Sequence, residues 1–477
     1  MILPGKPSKI GVAKTKGAAV AQKLDDGKDL LDAVIVGAGL AGLKAAREFK
    51  AAGKSFRLVE ARDRVGGRSK PGEVAGHIVD FGGQWVGPQQ KLLLAEASEL
   101  GVETYAQYTK GKNVLDMDGS IKTYKGAMPK LSLLSLLELG RLEKRWAREC
   151  AMLPEGMPWL ATKAADWDAS TVESWILKHV RSKHARDFAR IITRAVFCAE
   201  ASQLSYLYFL EYLKQGQGLE CLTGVKGGAQ QDKFVGGAWQ IPERMAKALG
   251  EHVMLEAPVH YIVQSTDSVT VVTEKGTLAA RRVIMAVPPA LASRITYNQP
   301  LPVRRDGLMQ RMPMGSVIKI HVAYERPFWR EAGFSGMATS TSRAFNVVFD
   351  QTPPGSEGDI GMLVGFIDGI YAVALSALSE DQRRAFVIAD LVHYFGPEAS
   401  NLVAYAENDW TADEWSRGCY VGTMAPGTMT TYGEALREPC GRIHWAGTET
   451  ATEWMGYLDG ALQSGIRAAG EVIDKDS

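Results

Sequence analysis

A glycine-rich turn between a buried strand and a helix constrains the fold of this chain more than any other feature. Residues 33–36 read Ala-Val-Ile-Val, the apolar run of a buried parallel strand, and the turn GAGLAG follows as residues 37–42. A helical segment then reaches Gly53, and a second apolar strand at 56–59 ends just before Glu60. This order of strand, glycines, helix, strand and acid predicts a dinucleotide-binding βαβ unit.

Each glycine of this turn has a physical role. Gly37 permits the tight turn, Gly39 lets backbone amides approach a pyrophosphate, and Gly42 lets the helix pack closely on the strand. The first N–H groups of the helix then face the phosphates. The carboxylate of Glu60 follows the second strand, where it can accept hydrogen bonds from ribose hydroxyls.

Two further glycine-rich loops favour a flavin over a nicotinamide. Residues 61–68 read ARDRVGGR, whose glycine pair and flanking arginines can cradle a pyrophosphate from its second side. Residues 80–88 read DFGGQWVGP and expose more backbone. Three such loops close together predict FAD as the cofactor. The candidate FAD contacts in these two loops are Arg62, Gly67, Arg68, Gly83, Gln84 and Trp85.

Length and composition exclude several classes of protein. A chain of 477 residues is longer than one hydrophobic core usually accommodates, which predicts two domains. The 46% hydrophobic and 23% charged content is typical of a globular protein, and a net charge of +1 indicates neither nucleic acid nor an anionic membrane as partner. The five cysteines are few and widely spaced, so we expect a reducing compartment, and the histidines show no metal-binding spacing.

Neither terminus reads as a targeting or anchoring segment. The first 30 residues are Lys-rich and lack the apolar run of a secretory signal, so we expect an N-terminal extension lying over the surface or partly disordered. No run of 18 apolar residues is present, and the C-terminus is neither a membrane anchor nor a peroxisomal tripeptide. These observations predict a soluble cytoplasmic protein.

The centre of the chain changes from helical to strand-like periodicity. Apolar residues recur at three- and four-residue spacing in the segments 133–150, 170–180, 184–196 and 205–215. Strand patterns follow at 260–265, 268–274 and 281–289, and residues 316–324 alternate apolar and polar side chains, as in a half-buried strand. An apolar strand at 442–446, a glycine turn and a helix at 460–470 close the chain, and this helix can direct N–H groups at a flavin. A flavin domain interrupted by a substrate domain is the predicted organisation.

Six motifs make this chain resemble the flavin-containing amine oxidases. They are VEARDRVGGRS (59–69), VDFGGQWVGPQQ (79–90), KFVGG (233–237), MPMGSVIK (312–319), RGCY (417–420) and HWAGTETA (444–451). The resemblance covers about residues 32 to 473. It is greatest to the monoamine oxidases, because these carry Gly-Cys-Tyr and Gly-Ser-Val-Ile-Lys at the matching places.

The resemblance implies an α/β fold in which a Rossmann-like FAD-binding domain of the glutathione-reductase type interleaves with an α+β substrate-binding domain. Residues 31–110, 225–300 and 405–477 would form the FAD-binding domain, after the extension at 1–30. Residues 111–224 and 301–404 would form the substrate-binding domain. The implied reaction converts an amine, water and O2 to an aldehyde, ammonia and H2O2, with a hydride equivalent passing to flavin N5. A homodimer is a further expectation.

Four side chains carry the implied chemistry. Lys319 matches the lysine that holds a water near flavin N5, although a strand lysine more often faces solvent. Tyr420 and Tyr457 match the two rings that flank the amine. Cys419 matches the cysteine joined to FAD through an 8α-S-cysteinyl bond, whereas an isolated cysteine is more often a buried apolar residue. The other implied FAD contacts are Val259, Trp410, Gly447, Thr448 and Glu449, and the implied substrate-lining residues are Ala195, Val196, Cys221, Leu222 and Gln230.

Other functions remain open on the sequence alone. An L-amino-acid oxidase needs a cavity arginine for the substrate carboxylate, and Arg417 is expected outside. A polyamine oxidase needs an acidic funnel, which Glu200, Glu220 and Asp350 do not obviously form. A flavin-stabilised interaction protein of this family would carry long helical insertions or added domains, which this chain lacks. The expected partners are therefore a small amine and O2, with no side chain standing out as a general base.

Overall fold

The computed structural model describes residues 30–126, 131–356 and 358–474. The predicted N-terminal extension, 1–30, lies outside the described residues apart from its last residue. The strands, numbered in chain order, are β1 (Leu31–Val36), β2 (Phe56–Val59), β3 (Pro71–Val74), β4 (His77–Asp80), β5 (Trp85–Val86), β6 (Thr104–Ala106), β7 (Lys112–Met117), β8 (Ser120–Tyr124), β9 (Asp232–Phe234), β10 (Val253–Met254), β11 (Val259–Gln264), β12 (Val269–Thr273), β13 (Gly276–Met285), β14 (Thr296–Tyr297), β15 (Val317–Tyr324), β16 (Phe334–Ser340), β17 (Phe345–Asp350), β18 (Gly361–Asp368), β19 (Ala404–Asp409) and β20 (Ile443–Trp445).

The helices, like the strands, are numbered in chain order, and most of them connect strands of the two larger sheets. The α-helices are α1 (Leu40–Ala51), α2 (Lys91–Glu99), α3 (Leu133–Cys150), α4 (Ala164–Asp168), α5 (Val172–His179), α6 (Lys183–Phe197), α7 (Tyr206–Gln215), α8 (Leu219–Thr223), α9 (Gln240–Leu249), α10 (Pro289–Ala292), α11 (Val303–Gln310), α12 (Phe328–Glu331), α13 (Ile370–Leu375), α14 (Glu380–Phe395), α15 (Thr428–Tyr432) and α16 (Leu458–Ile473). In the described part of the chain, no helix is both long enough and apolar enough to span a bilayer.

The first sheet contains the predicted dinucleotide-binding unit. Strands β10, β2, β1, β13 and β20 run parallel, while β12 and β11 continue the sheet as an antiparallel pair from the first half of β13. Alternate residues of β1 enter two different cores: Ile35 packs beneath α1, α9 and α16, and Val34 packs on the opposite face with Trp445. Burial on both faces explains why β1 reads as a continuous apolar run.

The second sheet brings together strands from distant parts of the chain. Its order is β19-β15-β18-β17-β16-β7-β8, and only the β16–β7 pair is parallel. Strand β19 pairs with β15 here, although residues from 405 onward were expected in the FAD-binding domain. The division into domains stays a prediction.

The expected half-burial of β15 is wrong, since all eight of its residues are buried. Strands β18 and β19 cover both of its edges, and Ile318 and Ile320 pack in the core against α14. The polar side chains on the opposite face, Lys319 and His321, are covered by the loop after β4, whose carbonyl groups they contact.

The helices predicted from the central periodicity are confirmed. Helix α3 has the predicted bounds, and α5, α6 and α7 fall within two residues of theirs. They surround a core in which the rings of Trp146, Trp175, Tyr206 and Phe209 contact one another. Strands β11, β12 and β20 and helix α16 also match predicted segments, whereas β13 (Gly276–Met285) overlaps the strand predicted at 281–289 only in residues 281–285.

The contact between the glycine turn and α1 generates the first prediction. A Cβ atom on Gly42 would lie 1.9 Å from the carbonyl oxygen of Gly37, whereas one on Gly470, in α16, would meet nothing within 4 Å. We expect Gly42→Ala to lower the free energy of unfolding by about 3 kcal/mol, the upper end of overpacking costs. Gly470→Ala should instead raise it by about 0.5–1 kcal/mol, because alanine favours a helix. Urea titrations of both variants test the pair, and equal effects would contradict the close contact.

Candidate functional site

One large cavity, of about 1210 Å³, joins the glycine turn of the first sheet to the helical layer. Its floor is one face of the second sheet, to which neighbouring strands contribute alternate side chains. At the other end it reaches the core helices α3, α6 and α8. The floor residues are Asn113 on β7, Met337 and Thr339 on β16, Val347 and Phe349 on β17, Phe366 and Asp368 on β18, and Val317 and Lys319 on β15.

The three glycines of the turn have different surroundings. Gly37 has a φ of +100°, and a Cβ atom there would lie 2.8 Å from the carbonyl oxygen of Ala286. Gly39 borders the cavity, and a Cβ atom there would meet nothing within 4 Å, so the backbone is open to a ligand. Gly42 does not border the cavity and instead packs against the turn. This matches the packing role predicted for Gly42, and its assignment to the FAD-binding motif stays a prediction.

Glu60 lies beside this turn, at the carboxyl end of β2. Its Oε2 accepts a hydrogen bond from the backbone N–H of Ala38 (2.8 Å), and its Oε1 accepts one from the N–H of Arg62 (3.1 Å). Glu60 is buried and borders the cavity. These bonds hold the carboxylate at the place predicted for a ribose-binding acid.

The arginines that follow Glu60 are engaged with protein groups. Arg62 donates to Asp413 (2.6 Å) and Ser416 (2.7 Å). Arg68 donates to Glu449 (2.6 Å) and to the carbonyl oxygen of Tyr420 (2.7 Å). Both arginines border the cavity. Their hydrogen bonds connect the glycine-rich loop of residues 61–68, which includes Gly67, to the segment that carries Cys419.

Most other predicted cofactor contacts also border the cavity. This set comprises Gly83, Gln84, Trp85, Val259, Trp410, Cys419, Gly447, Thr448 and Tyr457. Glu449 does not border it, and instead accepts hydrogen bonds from Arg68 and from the N–H of Gly422 (3.3 Å). Its observed contacts are therefore with the protein, behind the cavity wall.

The residues at this end fit an FAD. The first turns of α1 and α16 both border the cavity, and neither has a side-chain cap on its N-terminal N–H groups. Such helix starts attract phosphates and other electron-rich groups. Together with the open backbone at Gly39 and the acid at Glu60, they form a cradle for a dinucleotide.

Lys319, on β15, borders the cavity from its floor. Its Nζ donates to the carbonyl oxygen of Gly82 (2.8 Å) and to Oε1 of Gln84, and it is 5.5 Å from the centre of the Trp85 ring. Burial lowers the pKa of Lys319 to about 7, against the opposing attraction of Asp80. The ammonium is therefore desolvated and held towards the cavity, contrary to the usual solvent-facing lysine of a strand.

A buried polar chain behind Lys319 was missed by the sequence reasoning. Gln84 donates to Oε1 of Gln351 (3.0 Å), and Lys233 donates to the same oxygen (3.1 Å). Burial lowers the pKa of Lys233 to about 8 and raises that of Asp80 to about 6. The only available signal was the position of Lys233 in KFVGG and of Asp80 in VDFGG, since their contacts are long-range.

Cys419 and the two tyrosines also border the cavity. The Cys419–Tyr420 peptide bond is cis. The Tyr420 ring packs edge-on against Phe366 (5.9 Å), and Tyr457 contacts the rings of Trp454 (5.2 Å) and Tyr212. Burial raises the pKa of the Cys419 thiol to about 12, although Arg68 opposes the shift.

Four of the five predicted substrate-lining residues border the cavity. They are Ala195 and Val196 on α6, Leu222 on α8, and Gln230. Cys221 does not, because its side chain is buried in the helical core. The sequence reasoning missed Phe366, Phe349, Tyr212 and Asp368, whose positions depend on strand pairing and helix packing rather than on local motifs.

The charged residues that were considered for a polyamine oxidase or an L-amino-acid oxidase do not gather at the end of the cavity that the predicted substrate-lining residues border. Glu200 is paired with Arg194, Asp350 is paired with Arg330, and Glu220 is exposed at the rim. Arg417 is exposed, as expected. Among the described residues, the arginines that border the cavity are Arg62, Arg68 and Arg294, and none accompanies the predicted substrate-lining residues.

Comparison with known proteins agrees with this architecture. The family model for flavin-containing amine oxidoreductases matches residues 40–473. A Dictyostelium discoideum protein described as a probable flavin-containing monoamine oxidase A is 40% identical over 450 residues, covering 94% of this chain and 98% of its own. The flavin-containing amine oxidase A of Bos taurus is 35% identical over 460 residues, covering 95% and 87%.

Solved structures of two enzymes share the fold. Putrescine oxidase bound to putrescine has a TM-score of 0.89 at 34% identity, covering 94% of this chain and 99% of its own. Cyclohexylamine oxidase from Brevibacterium oxydans has a TM-score of 0.89 at 31% identity, with the same coverage. The predicted α/β FAD-binding fold is confirmed. This chain belongs to the flavin-containing amine oxidoreductase family and is an FAD-dependent oxidoreductase of amines.

Proposed function

We propose that the chain oxidises a primary amine to an aldehyde, with release of ammonia and H2O2, as a monoamine-oxidase-like enzyme. The observation that carries this proposal is one continuous cavity, which extends from the dinucleotide cradle to Lys319, Tyr420 and Tyr457. When bound, FAD supplies the acceptor for a hydride equivalent from the amine α-carbon and the centre at which O2 is reduced. The chain supplies position, a dry environment and charge.

The two tyrosines are proposed to orient the amine. Both are largely buried, and burial raises their pKa above that of an exposed phenol, so they stay neutral at physiological pH. The electron-rich faces of aromatic rings attract the polarised N–H and C–H bonds of an amine. The aromatic and aliphatic lining around them excludes water and leaves the amine nitrogen to be held mainly by ring faces.

Lys319 is proposed to serve the reaction with oxygen. A buried ammonium stabilises negative charge that develops beside it, because the low local dielectric strengthens the interaction. Its bonds to Gly82 and Gln84 fix its direction before any substrate enters. Lys319, Tyr420 and Tyr457 are therefore the proposed catalytic residues.

Two assays test the activity as a whole. Purified protein should show an oxidised-flavin spectrum that bleaches when an amine is added without oxygen. With oxygen it should release H2O2 and aldehyde in equal amounts. A panel of benzylic, indolic and aliphatic amines extends the test to substrate class. A flavin spectrum that no amine bleaches would favour the non-catalytic interaction protein.

The homodimer and the cytoplasmic location stay predictions. Light scattering on the purified protein measures the first, and fractionation of expressing cells measures the second. Neither is needed for the proposed chemistry, because every proposed catalytic residue belongs to one cavity within one chain.

Cys419 is proposed to hold FAD through an 8α-S-cysteinyl bond. In support, Cys419 borders the cavity, and engineered putrescine oxidases in a redesign of cofactor binding include an alanine-to-cysteine variant.

We expect acid-precipitated protein to keep its yellow colour and its intact mass to exceed that of the polypeptide by one FAD. Cys419→Ala should release the flavin on precipitation, whereas Cys440→Ala, a matched buried cysteine, should not. Free flavin from the unmodified protein would show that Cys419 makes no tether.

Lys319→Met should slow reoxidation of the reduced flavin more than its reduction by amine. Loss of one preorganised electrostatic contact costs about 2.7–4 kcal/mol, or roughly 10²–10³ in rate. Because the pKa of Lys319 is lowered to about 7, its charged fraction falls as pH rises from 6 to 9. Reoxidation of the unmodified enzyme should slow over that range, and the variant should lack this dependence. Stopped-flow measurements of both half-reactions test this, with exposed Lys247→Met as control. Equal losses in both half-reactions would indicate a structural lysine.

Tyr457→Leu should lower amine turnover per bound flavin while flavin content and spectrum change little. Tyr457→Phe should be much milder, because the ring face rather than the hydroxyl meets the amine. If Tyr457 had only a structural role, the Leu variant would lose a few kcal/mol of folding stability and keep normal turnover per flavin. Turnover, flavin content and the urea midpoint of both variants separate the two outcomes.

A further inference from the structure

Lys233 is a buried lysine to which the proposed chemistry gives no role. It lies on β9, the central strand of the three-stranded sheet β5-β9-β6, where it pairs with Trp85 and Tyr105. The residue is only 3% exposed. Its ammonium donates to two neutral oxygens, the carbonyl oxygen of Asp350 (3.2 Å) and Oε1 of Gln351 (3.1 Å). A buried charge that is held by neutral groups lowers folding stability, which calls for a functional explanation.

Lys233 carries its charge at neutral pH in spite of this burial. Burial lowers its pKa to about 8, with Asp350 and Asp80 opposing the shift and Arg330 adding to it. The side chain is therefore mainly an ammonium, which can donate hydrogen bonds but cannot accept them.

One chain of hydrogen bonds connects Lys233 to Lys319. Oε1 of Gln351 accepts from Nζ of Lys233 and from Nε2 of Gln84 (3.0 Å). Oε1 of Gln84 then accepts from Nζ of Lys319. Because Lys233 needs an oxygen, Gln351 presents Oε1, and Gln84 must offer Nε2 to that oxygen and turn its own Oε1 to Lys319. The charge at one end of the chain therefore determines which amide atom faces the lysine at the other end.

Loss of Lys233 would remove this constraint. Gln351 could then present either end of its amide, and Gln84 would be free to turn its amide nitrogen towards Lys319. Two donors in contact repel each other, so the ammonium of Lys319 would lose one of the two bonds that hold it, the other being to the carbonyl oxygen of Gly82 (2.8 Å).

A second chain from Lys233 has no such dependence and serves as an internal comparison. The carbonyl oxygen of Asp350 accepts from Lys233 and from Nε2 of Gln107 (2.8 Å), and Oε1 of Gln107 accepts from the indole N–H of Trp85 (3.0 Å). A backbone carbonyl group can only accept, so Gln107 keeps its direction whether or not Lys233 is present. The bond to Trp85 therefore reports general damage to this region.

We propose that Lys233 and Gln351 are positioning residues for Lys319, because together they hold Oε1 of Gln84 towards its ammonium. The inference rests on the oxygen chemistry proposed for Lys319 and adds two residues that do not border the large cavity. Preorganised donors and charges act in catalysis only when the groups behind them fix their direction. Lys233 and Gln351 supply that support.

Two substitutions of Gln351 with similar size test the chain. Methionine removes the acceptor that Lys233 and Gln84 share, whereas the carboxylate of glutamate accepts from both. We expect Gln351→Met to slow flavin reoxidation about fivefold, the effect of one hydrogen bond, and to change reduction by amine less than about twofold. Gln351→Glu should be the milder change, and Gln310→Met, at an exposed glutamine elsewhere, should affect neither half-reaction. If Gln351 only filled space, methionine would be milder than glutamate, and that order would overturn the proposal.

A double-mutant cycle assigns the effect to one chain. At pH 6, below the pKa of Lys319 of about 7, that lysine is mainly charged, so the rates report its position. Lys233→Met should slow reoxidation at least as much as Gln351→Met does, because it also removes a charge. The double variant should be no slower than Lys233→Met alone, since both changes interrupt the same bonds. Multiplied effects of the two changes would overturn the proposal.

Nuclear magnetic resonance gives a readout that requires no turnover. In FAD-loaded protein with 13C-labelled lysine, the ε-carbon signal of Lys319 is assigned by its loss in Lys319→Met. Gln351→Met removes no charge and should still shift and broaden this signal. The indole N–H signal of Trp85, assigned by its loss in Trp85→Phe, should stay in place. An unchanged Lys319 signal, or an equal disturbance of both signals, would refute the positioning role.

These measurements separate failure of the positioning from failure of the proposed function. If Lys319→Met leaves reoxidation unchanged, the oxygen chemistry proposed for Lys319 is refuted, and the Lys319 signal in Gln351→Met still decides whether the chain positions that side chain. If Lys319→Met slows reoxidation and Gln351→Met does not, the positioning role is refuted and the proposed function stands.

Discussion

Three consecutive carbonyl groups, at the end of β4 and in the loop after it, hold this segment against the second sheet, and the position of the cavity depends on them. Asp80, Phe81 and Gly82 accept hydrogen bonds from His321 (3.0 Å), Trp410 (2.9 Å) and Lys319 (2.8 Å) respectively. Buried carbonyl groups need donors, so this loop remains ordered only while the second sheet supplies them. The same loop leads into Gly83, Gln84 and Trp85, and the contact therefore sets where the cofactor end of the cavity meets its floor.

Burial of charged side chains where the loop after β4 meets the second sheet lowers the stability of the fold, and this cost is consistent with a role in catalysis. Burial of Lys319 and Lys233 lowers the pKa of both, while the neighbouring carboxyl groups are engaged elsewhere: Asp80 accepts hydrogen bonds from the N–H groups of Ala238 and Trp239, and Asp350 is paired with Arg330. The two lysines therefore leave an excess of positive charge beside the cavity. Such an arrangement opposes stability, but it stabilises an anion formed above it.

Local patterns in the sequence predict those parts of the fold whose contacts are close along the chain. The unit from β1 to β2 and helices α3, α5, α6 and α7 follow from periodicity and glycine spacing. The burial of β15, the partners of Arg62 and Arg68, and the network from Lys319 to Lys233 could not be predicted, because they join residues more than a hundred positions apart. The position of Asp368 could not be predicted either, because it depends on the pairing of β18 with β15 rather than on a local motif.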